Sequence, residues 1–131
     1  MERLVNCNID VHIEMIKSIS GGAGEFEILF STEYGESPTC KKYKLIFRMV
    51  RDLRWSTELM SVARGEQFLK RPEGHTDNCI FIVENSRFIT PLIDDLVGSK
   101  INKIKHYFLH DWFDTVIDIL ALVEPELVEV E

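Results

Sequence analysis

The chain has 131 residues, a length that fits one domain, and its 45% hydrophobic content supports a packed core without disulfides or metal. The formal net charge of −7 argues against general nucleic-acid binding, because a phosphate backbone requires a basic face. No apolar run approaches the ~20 residues of a membrane span, and "MERLVNCNID" lacks the features of a signal peptide. We therefore expect a single cytoplasmic domain over residues 1–131, with neither nucleic acid nor membrane as a partner.

The three cysteines agree with that compartment. Cys7, Cys40 and Cys79 lie far apart in the chain, and an odd number cannot pair completely within one molecule. No C-x-x-C is present, so the cysteines predict reduced thiols and neither a zinc site nor a redox motif.

The first two elements are predicted strands. In "NIDVHIEMIK" (8–17) the apolar residues occupy every second position, and "EFEILFST" (25–32) resumes the alternation. The glycines of the intervening "SGGAGE" suit a turn. These segments predict an antiparallel hairpin.

After a polar loop, the stretch "KYKLIFRMVRDLRW" (42–55) predicts one long strand with its basic residues on the exposed face. The alternation breaks near residues 50–51, which indicates a bulge or a bend. Residues 56–72 fit a short helix and a continuing strand about equally well. "CIFIVE" (79–84) is almost entirely apolar and predicts a central strand buried on both faces. The following "ENSR" predicts a turn with a solvated Arg87.

"TPLIDDLVG" (90–98) predicts one short helix, with Thr90 as N-cap, Pro91 at the first helical position and Gly98 at the end. The strands occur in runs without βαβ alternation. We therefore predict an α+β fold, with a mostly antiparallel sheet of about five to seven strands and one or two short helices.

The segment "HYFLHDWFDTVIDILALVEP" (106–125) has two interpretations. As a hairpin, it forms two strands joined by a turn through Asp111–Asp114, and the Val, Ile and aromatic content favours this form. As a helix over 108–123, it places His110, Asp111, Asp114 and Asp118 along one stripe.

The choice between hairpin and helix decides whether the histidines can act together. On a helix His106 and His110 could share a metal, whereas on a strand they lie roughly 13 Å apart. We expect no metal and no cofactor, with both imidazoles at the sheet edge and hydrogen-bonded to carboxylates such as those of Asp111 or Asp114. Asp118 interrupts an apolar run, so it is either partly buried and paired, for instance with an arginine from residues 48–54, or it marks the exposed face.

The pattern "FIVENSRFI" followed by "HYFLHD…DTVIDILALVEP" resembles small cytoplasmic bacterial domains associated with immunity to polymorphic or contact-dependent toxins. The resemblance covers about the last third of the chain and carries no catalytic motif. It implies a non-enzymatic protein that binds and neutralises a toxin. Residues 111–131 hold seven acidic residues and no Lys or Arg, which suits a basic toxin as the partner.

Our leading hypothesis is therefore a protein-binding domain of the immunity type. The predicted partner-binding surface residues are Asp111, Trp112, Asp114 and Glu124, with Trp112 as the anchor. One alternative is a small metal-dependent or acid–base hydrolase that uses His106, His110, Asp111 and Asp114. A second alternative is a structural homo-oligomer that assembles through a sheet edge or an exposed aromatic surface.

Overall fold

A computed structural model describes residues 2–33, 41–57, 77–89 and 104–130. These residues form nine strands, which are β1 Arg3–Val5, β2 Met15–Gly22, β3 Glu25–Ser31, β4 Lys42–Phe47, β5 Val50–Thr57, β6 Ile80–Glu84, β7 Lys105–His110, β8 Thr115–Ala121 and β9 Glu126–Val130. Every pairing is antiparallel. One sheet has the order β1-β6-β7-β8-β5 and the other has the order β2-β3-β4-β9.

The predicted α+β class is wrong, because the described part of the chain is all-β, with two antiparallel sheets and no helix. The helix predicted over 90–98 and most of the ambiguous segment 56–72 lie outside the described residues. Ser56 and Thr57, the first two residues of that segment, are the last residues of β5. Within the described ranges, no helix has the length and apolarity needed to cross a membrane.

The β2–β3 hairpin is confirmed, although its first strand starts later than predicted. Regular pairing begins at Met15, opposite Ser31, yet the preceding Ile13 is already fully buried. Near the end of β2, Gly21 has a φ of 136° and a Cβ there would lie 2.1 Å from the carbonyl oxygen of Glu25, so glycine is required at that position. The turn that follows consists of Ala23 and Gly24, both at positive φ. The alternation thus identified the buried positions but not the start of the strand.

The long strand predicted over 42–55 is two strands that belong to different sheets. β4 ends at Phe47, and β5 begins at Val50 on the other side of Met49, which has a φ of 54°. The irregularity predicted near residues 50–51 is confirmed as a shift of register between Val50 and Asp52. Met49 therefore lies where the chain passes from one sheet to the other.

The two sheets pack face to face around one core. Alternate residues of β3, β4, β6, β7 and β8 point into it, and the fully buried members include Ile28, Phe30, Leu45, Phe47, Ile80, Leu109, Ile117 and Ile119. Across the interface, the rings of Phe47 and Tyr107 meet edge to face with centroids 5.6 Å apart. These contacts come from both sheets, so they join them into one hydrophobic unit.

The opposite face of the five-stranded sheet is also buried. A second apolar cluster lies there, formed by Leu4, Phe81, Val83, Phe108 and Val116. The strand predicted from "CIFIVE" is thus confirmed as a central strand with both faces buried, with β1 on one side and β7 on the other.

Basic residues of the stretch 42–55 lie beside acidic residues of neighbouring strands. Lys44 Nζ lies 3.4 Å from a carboxylate oxygen of Glu27 on β3, and Arg48 Nη1 lies 3.0 Å from one of Glu126. These ion pairs are largely exposed, and each contributes little to stability. They nevertheless neutralise a segment that looks strongly cationic in the sequence.

Candidate functional site

Residues 105–121 form an antiparallel hairpin, which confirms the hairpin interpretation and shows the helical one to be wrong. His110 pairs with Val116 next to the turn, and Lys105 pairs with Ala121 at the open end. The turn itself comprises residues 111–114. The hairpin therefore has an exposed tip at 111–114 and a buried base around His106 and Asp118.

Asp111 anchors the tip from within. One carboxylate oxygen, Oδ1, accepts hydrogen bonds from the backbone N–H groups of Phe113, Asp114 and Thr115 at 2.9–3.0 Å. The other, Oδ2, accepts one from the N–H of Ile16 on β2 at 3.1 Å. Asp111 is buried, so its predicted place on the surface is wrong. The side chain shapes the turn and ties it to the second sheet.

The two aromatic residues after Asp111 project outward. Trp112 is 53% exposed and Phe113 is 55% exposed. The backbone beneath them is held firmly, because the N–H of Trp112 donates to the carbonyl oxygens of Ile13 and Glu14, both at 3.2 Å. Two large rings are thus presented to solvent from a fixed backbone, which lowers the entropic cost of using them in a contact.

His12 lies beside Trp112, with ring centroids 5.5 Å apart and planes inclined by 47°. Its Nε2 is 2.7 Å from a carboxylate oxygen of Glu14, and its Nδ1 is 3.3 Å from the carbonyl oxygen of Asp77. Asp114 is exposed next to the aromatic pair. We call Trp112, Phe113, Asp114 and the neighbouring His12 the aromatic tip; acceptor oxygens surround it.

Glu124 does not belong to this surface. It follows β8, whose seven residues separate it from the turn by roughly 20 Å. There its two carboxylate oxygens lie 3.0 Å from Nδ2 of Asn8, and Lys105 Nζ is 3.9 Å away. The four predicted partner-binding residues thus divide into one buried anchor, two residues of the tip and one residue at the far end of the sheets.

The two histidines have different surroundings. His106 is fully buried, with its Nε2 2.5 Å from Oδ1 of Asp118 and its Nδ1 2.6 Å from the hydroxyl of Ser86. His110 lies at the turn end of β7, where its Nδ1 contacts the carbonyl oxygen of Asp111 at 3.2 Å. The prediction placed both imidazoles at the sheet edge, hydrogen-bonded to carboxylates such as those of Asp111 or Asp114. The edge placement is wrong for both, because β7 lies between β6 and β8. His106 does bond a carboxylate, but it is that of Asp118 in the interior.

The order Ser86–His106–Asp118 places a hydroxyl, an imidazole and a carboxylate in one line, as in a nucleophilic triad. All three residues are buried, however, and the Ser86 hydroxyl also accepts a hydrogen bond from the N–H of Phe88 at 3.1 Å. The ring of Phe88 stacks on that of His106 at 5.0 Å. This arrangement holds a turn and two strands together and offers no open face to a substrate.

The other proposed chemical cluster is not assembled. His106 lies at the base of the hairpin while Asp114 is at the tip, and the Asp111 carboxylate is occupied by backbone N–H groups. No group of three or more His, Cys, Asp or Glu side chains within the described ranges is arranged to hold a metal ion.

The structure pairs Asp118 with His106 rather than with an arginine of residues 48–54. Arg54 is directly opposite Asp118 in the β5–β8 register, but its Nε bonds Asp52 at 2.9 Å and its guanidinium lies 4.3 Å from the centroid of the Phe88 ring. The sequence did contain a signal for the observed pair. A hairpin with its turn at 111–114 places residues 106 and 118 diagonally on one face.

Comparison of the chain with family models, with curated proteins and with solved structures gave no match.

Proposed function

We propose that the protein binds a partner protein through the aromatic tip, and that this binding neutralises a toxin, as the immunity-type resemblance of the C-terminal third implies. The proposal is carried by one observation: Trp112 and Phe113 are both more than half exposed on a turn whose backbone is fixed by Asp111. Trp is among the residues most enriched at the energetic centres of protein interfaces. A preorganised turn binds without a large ordering cost.

The charge around the tip defines the kind of partner. Glu14 and Asp114 place carboxylates near the rings, and the whole chain has a net charge of −7. A basic surface with an apolar pocket for the Trp112 ring complements this arrangement. Such electrostatic complementarity accelerates association and favours basic partners over acidic ones.

The test is co-expression with the toxin encoded by a neighbouring gene, scored as host survival and as formation of a purified complex. We expect the wild type to protect the host from the toxin. Trp112→Ala should not protect it, because the substitution should cost at least about 2 kcal/mol of binding free energy. Val123→Ala is the control, because Val123 is a 42% exposed apolar residue that follows β8 at the end remote from the tip.

Equal protection by wild type and Trp112→Ala, or equal losses in Trp112→Ala and Val123→Ala, would refute the role of the tip. If no neighbouring toxin is neutralised at all, the immunity function itself is wrong. Light scattering on the same samples tests the homo-oligomer alternative. In that case the wild type alone would be larger than a monomer, and Trp112→Ala would dissociate it.

A further inference from the structure

A small cleft opens at the end of the sheets opposite the aromatic tip. Its lining comprises Cys7, Asn8, Ile9, Tyr107, Glu124 and Pro125. Its volume is about 20 Å³, which is room for one group of the size of a water molecule. The cleft therefore selects a single small polar group rather than a whole metabolite.

The Tyr107 hydroxyl is a polar group available to a ligand in this cleft. Tyr107 is only 1% exposed and its ring packs against Phe47 in the core. Among the described residues, none hydrogen-bonds its hydroxyl, and the hydroxyl keeps some exposure, since Ser31 Oγ is the one fully buried side-chain polar atom without a partner in the described ranges. Tyr107 lines the cleft, so a water or ligand atom held there is placed to hydrogen-bond this hydroxyl.

The electrostatics of the cleft disfavour an anion. Burial raises the pKa of Tyr107 to about 12, and the nearby Glu124 carboxylate adds to the effect. Burial also raises the pKa of the Cys7 thiol, again with a contribution from Glu124. Both groups are thus neutral at pH 7. The carboxylate of Glu124 acts on both, that of Asp10 acts on Cys7 as well, and the Lys105 ammonium lies 3.9 Å from a Glu124 oxygen.

We propose that this cleft binds a primary ammonium group. The ammonium would donate hydrogen bonds to the Glu124 carboxylate and to the phenolic oxygen of Tyr107, and it matches the size of the cleft. The alkyl chain that carries it would leave along the apolar walls formed by Ile9 and Pro125. A lysine side chain and a free alkylamine share this chemistry. The cleft is separate from the aromatic tip, so a negative result at the cleft would leave the proposed function unaffected, and the reverse is also true.

The experiment is an NMR titration of the full chain with n-butylammonium chloride, followed on the backbone amides of Asn8, Ile9 and Glu124. We expect saturable shifts confined to these residues. Glu124→Gln should weaken binding about tenfold through loss of a charge-assisted hydrogen bond, and Tyr107→Phe about threefold. Lys105→Gln should tighten it, because Lys105 Nζ lies 3.9 Å from a Glu124 oxygen and competes for it. Glu126→Gln is the control, because Glu126 is an exposed glutamate paired with Arg48, and it should leave the affinity for n-butylammonium unchanged.

Two further probes separate the contributions of the charge and of the size of the ammonium group. n-Butanol has the same chain with a neutral head, and tetramethylammonium has the charge with a head too large for the cleft. Both should bind at least about tenfold more weakly than n-butylammonium. Equal binding of n-butanol, or no shifts at the three amides in a wild type with an intact spectrum, would overturn the proposal. A blocked lysine peptide that binds more tightly than n-butylammonium would identify a protein lysine as the source; the reverse order would identify a free amine.

Discussion

The base and the tip of the β7–β8 hairpin use the same residue types for opposite purposes. At the base, His106 and Asp118 bond each other in the interior. At the tip, Asp111 is also buried, but it accepts hydrogen bonds from backbone groups and leaves Trp112 and Phe113 exposed. The surroundings of a residue, and not its type, therefore decide whether a His- and Asp-rich segment stabilises the fold or presents a surface. Substitutions at each end of the hairpin test this contrast separately.

The largest effect is expected at the base. His106→Ala removes a buried partner of both Asp118 and Ser86, and disrupting such a buried pair costs about 3–5 kcal/mol of unfolding free energy. Urea denaturation measures the loss. The control is His110→Ala on the same strand, at a partly exposed position, which should cost about 1 kcal/mol. Equal losses in the two variants would mean that the buried network has no special importance.

Tyr107, on the inner face of the same base, should make the protein sensitive to alkali. The phenol has a pKa of about 12 when folded, against an ordinary value of 10.0. The stability that depends on its neutral form is therefore complete below pH 10 and is lost as pH rises to about 12, by about 2–3 kcal/mol. Denaturation of wild type and Tyr107→Phe between pH 9 and 12 measures the difference. Parallel pH profiles for the two proteins would contradict this prediction.

At the tip, Asp111→Ala should cost about 2 kcal/mol, because four backbone N–H groups lose their acceptor. Asp111→Asn keeps one oxygen and should cost about half as much. Hydrogen exchange of the amides of Phe113 and Thr115 should accelerate in the alanine variant. Asp114→Ala is the matched control, with an expected change within about 0.5 kcal/mol. An unchanged exchange rate in Asp111→Ala would show that the turn is held by other contacts.

The smallest effect on stability is expected for Trp112→Ala, which should change the unfolding free energy by about 0.5 kcal/mol or less, because the ring is 53% exposed. The same variant is expected to weaken partner binding by at least about 2 kcal/mol. Thermal unfolding beside the binding assay separates the two quantities. A loss of several kcal/mol would place Trp112 with the structural residues of the base and remove the contrast between the two ends.

The local features were predictable because they depend on neighbouring residues. The β2–β3 turn has Ala23 and Gly24 at positive φ, and the sequence signals it with the three glycines of "SGGAGE". The β7–β8 hairpin follows from two β-branched and aromatic runs on either side of a polar turn. The central position of "CIFIVE" follows from its lack of polar residues.

Apart from the helices of the predicted α+β class, the main errors concern how distant segments meet. Nothing in "KYKLIFRMVRDLRW" indicates that the chain changes sheets at Met49, since a non-glycine residue adopts positive φ there. The placement of Glu124 at the far end from Trp112 depends on the length of β8 and on the direction of the strands. The pairing of His106 with Ser86 depends on the turn after β6, twenty residues earlier in the chain.

By itself, the sequence determined which residues of regularly alternating strands such as β3 face inward and where two of the hairpins turn, because alternation and turn chemistry are set by the backbone within a few residues. Only the tertiary structure decided that the strands divide into two sheets, that His106 and Asp118 are partners in the interior, and that Asp111 is buried. Those outcomes depend on burial and on pairing between segments that are far apart in the chain. The free energy of burying a polar group is fixed by what surrounds it, and the identity of the residue alone does not specify that.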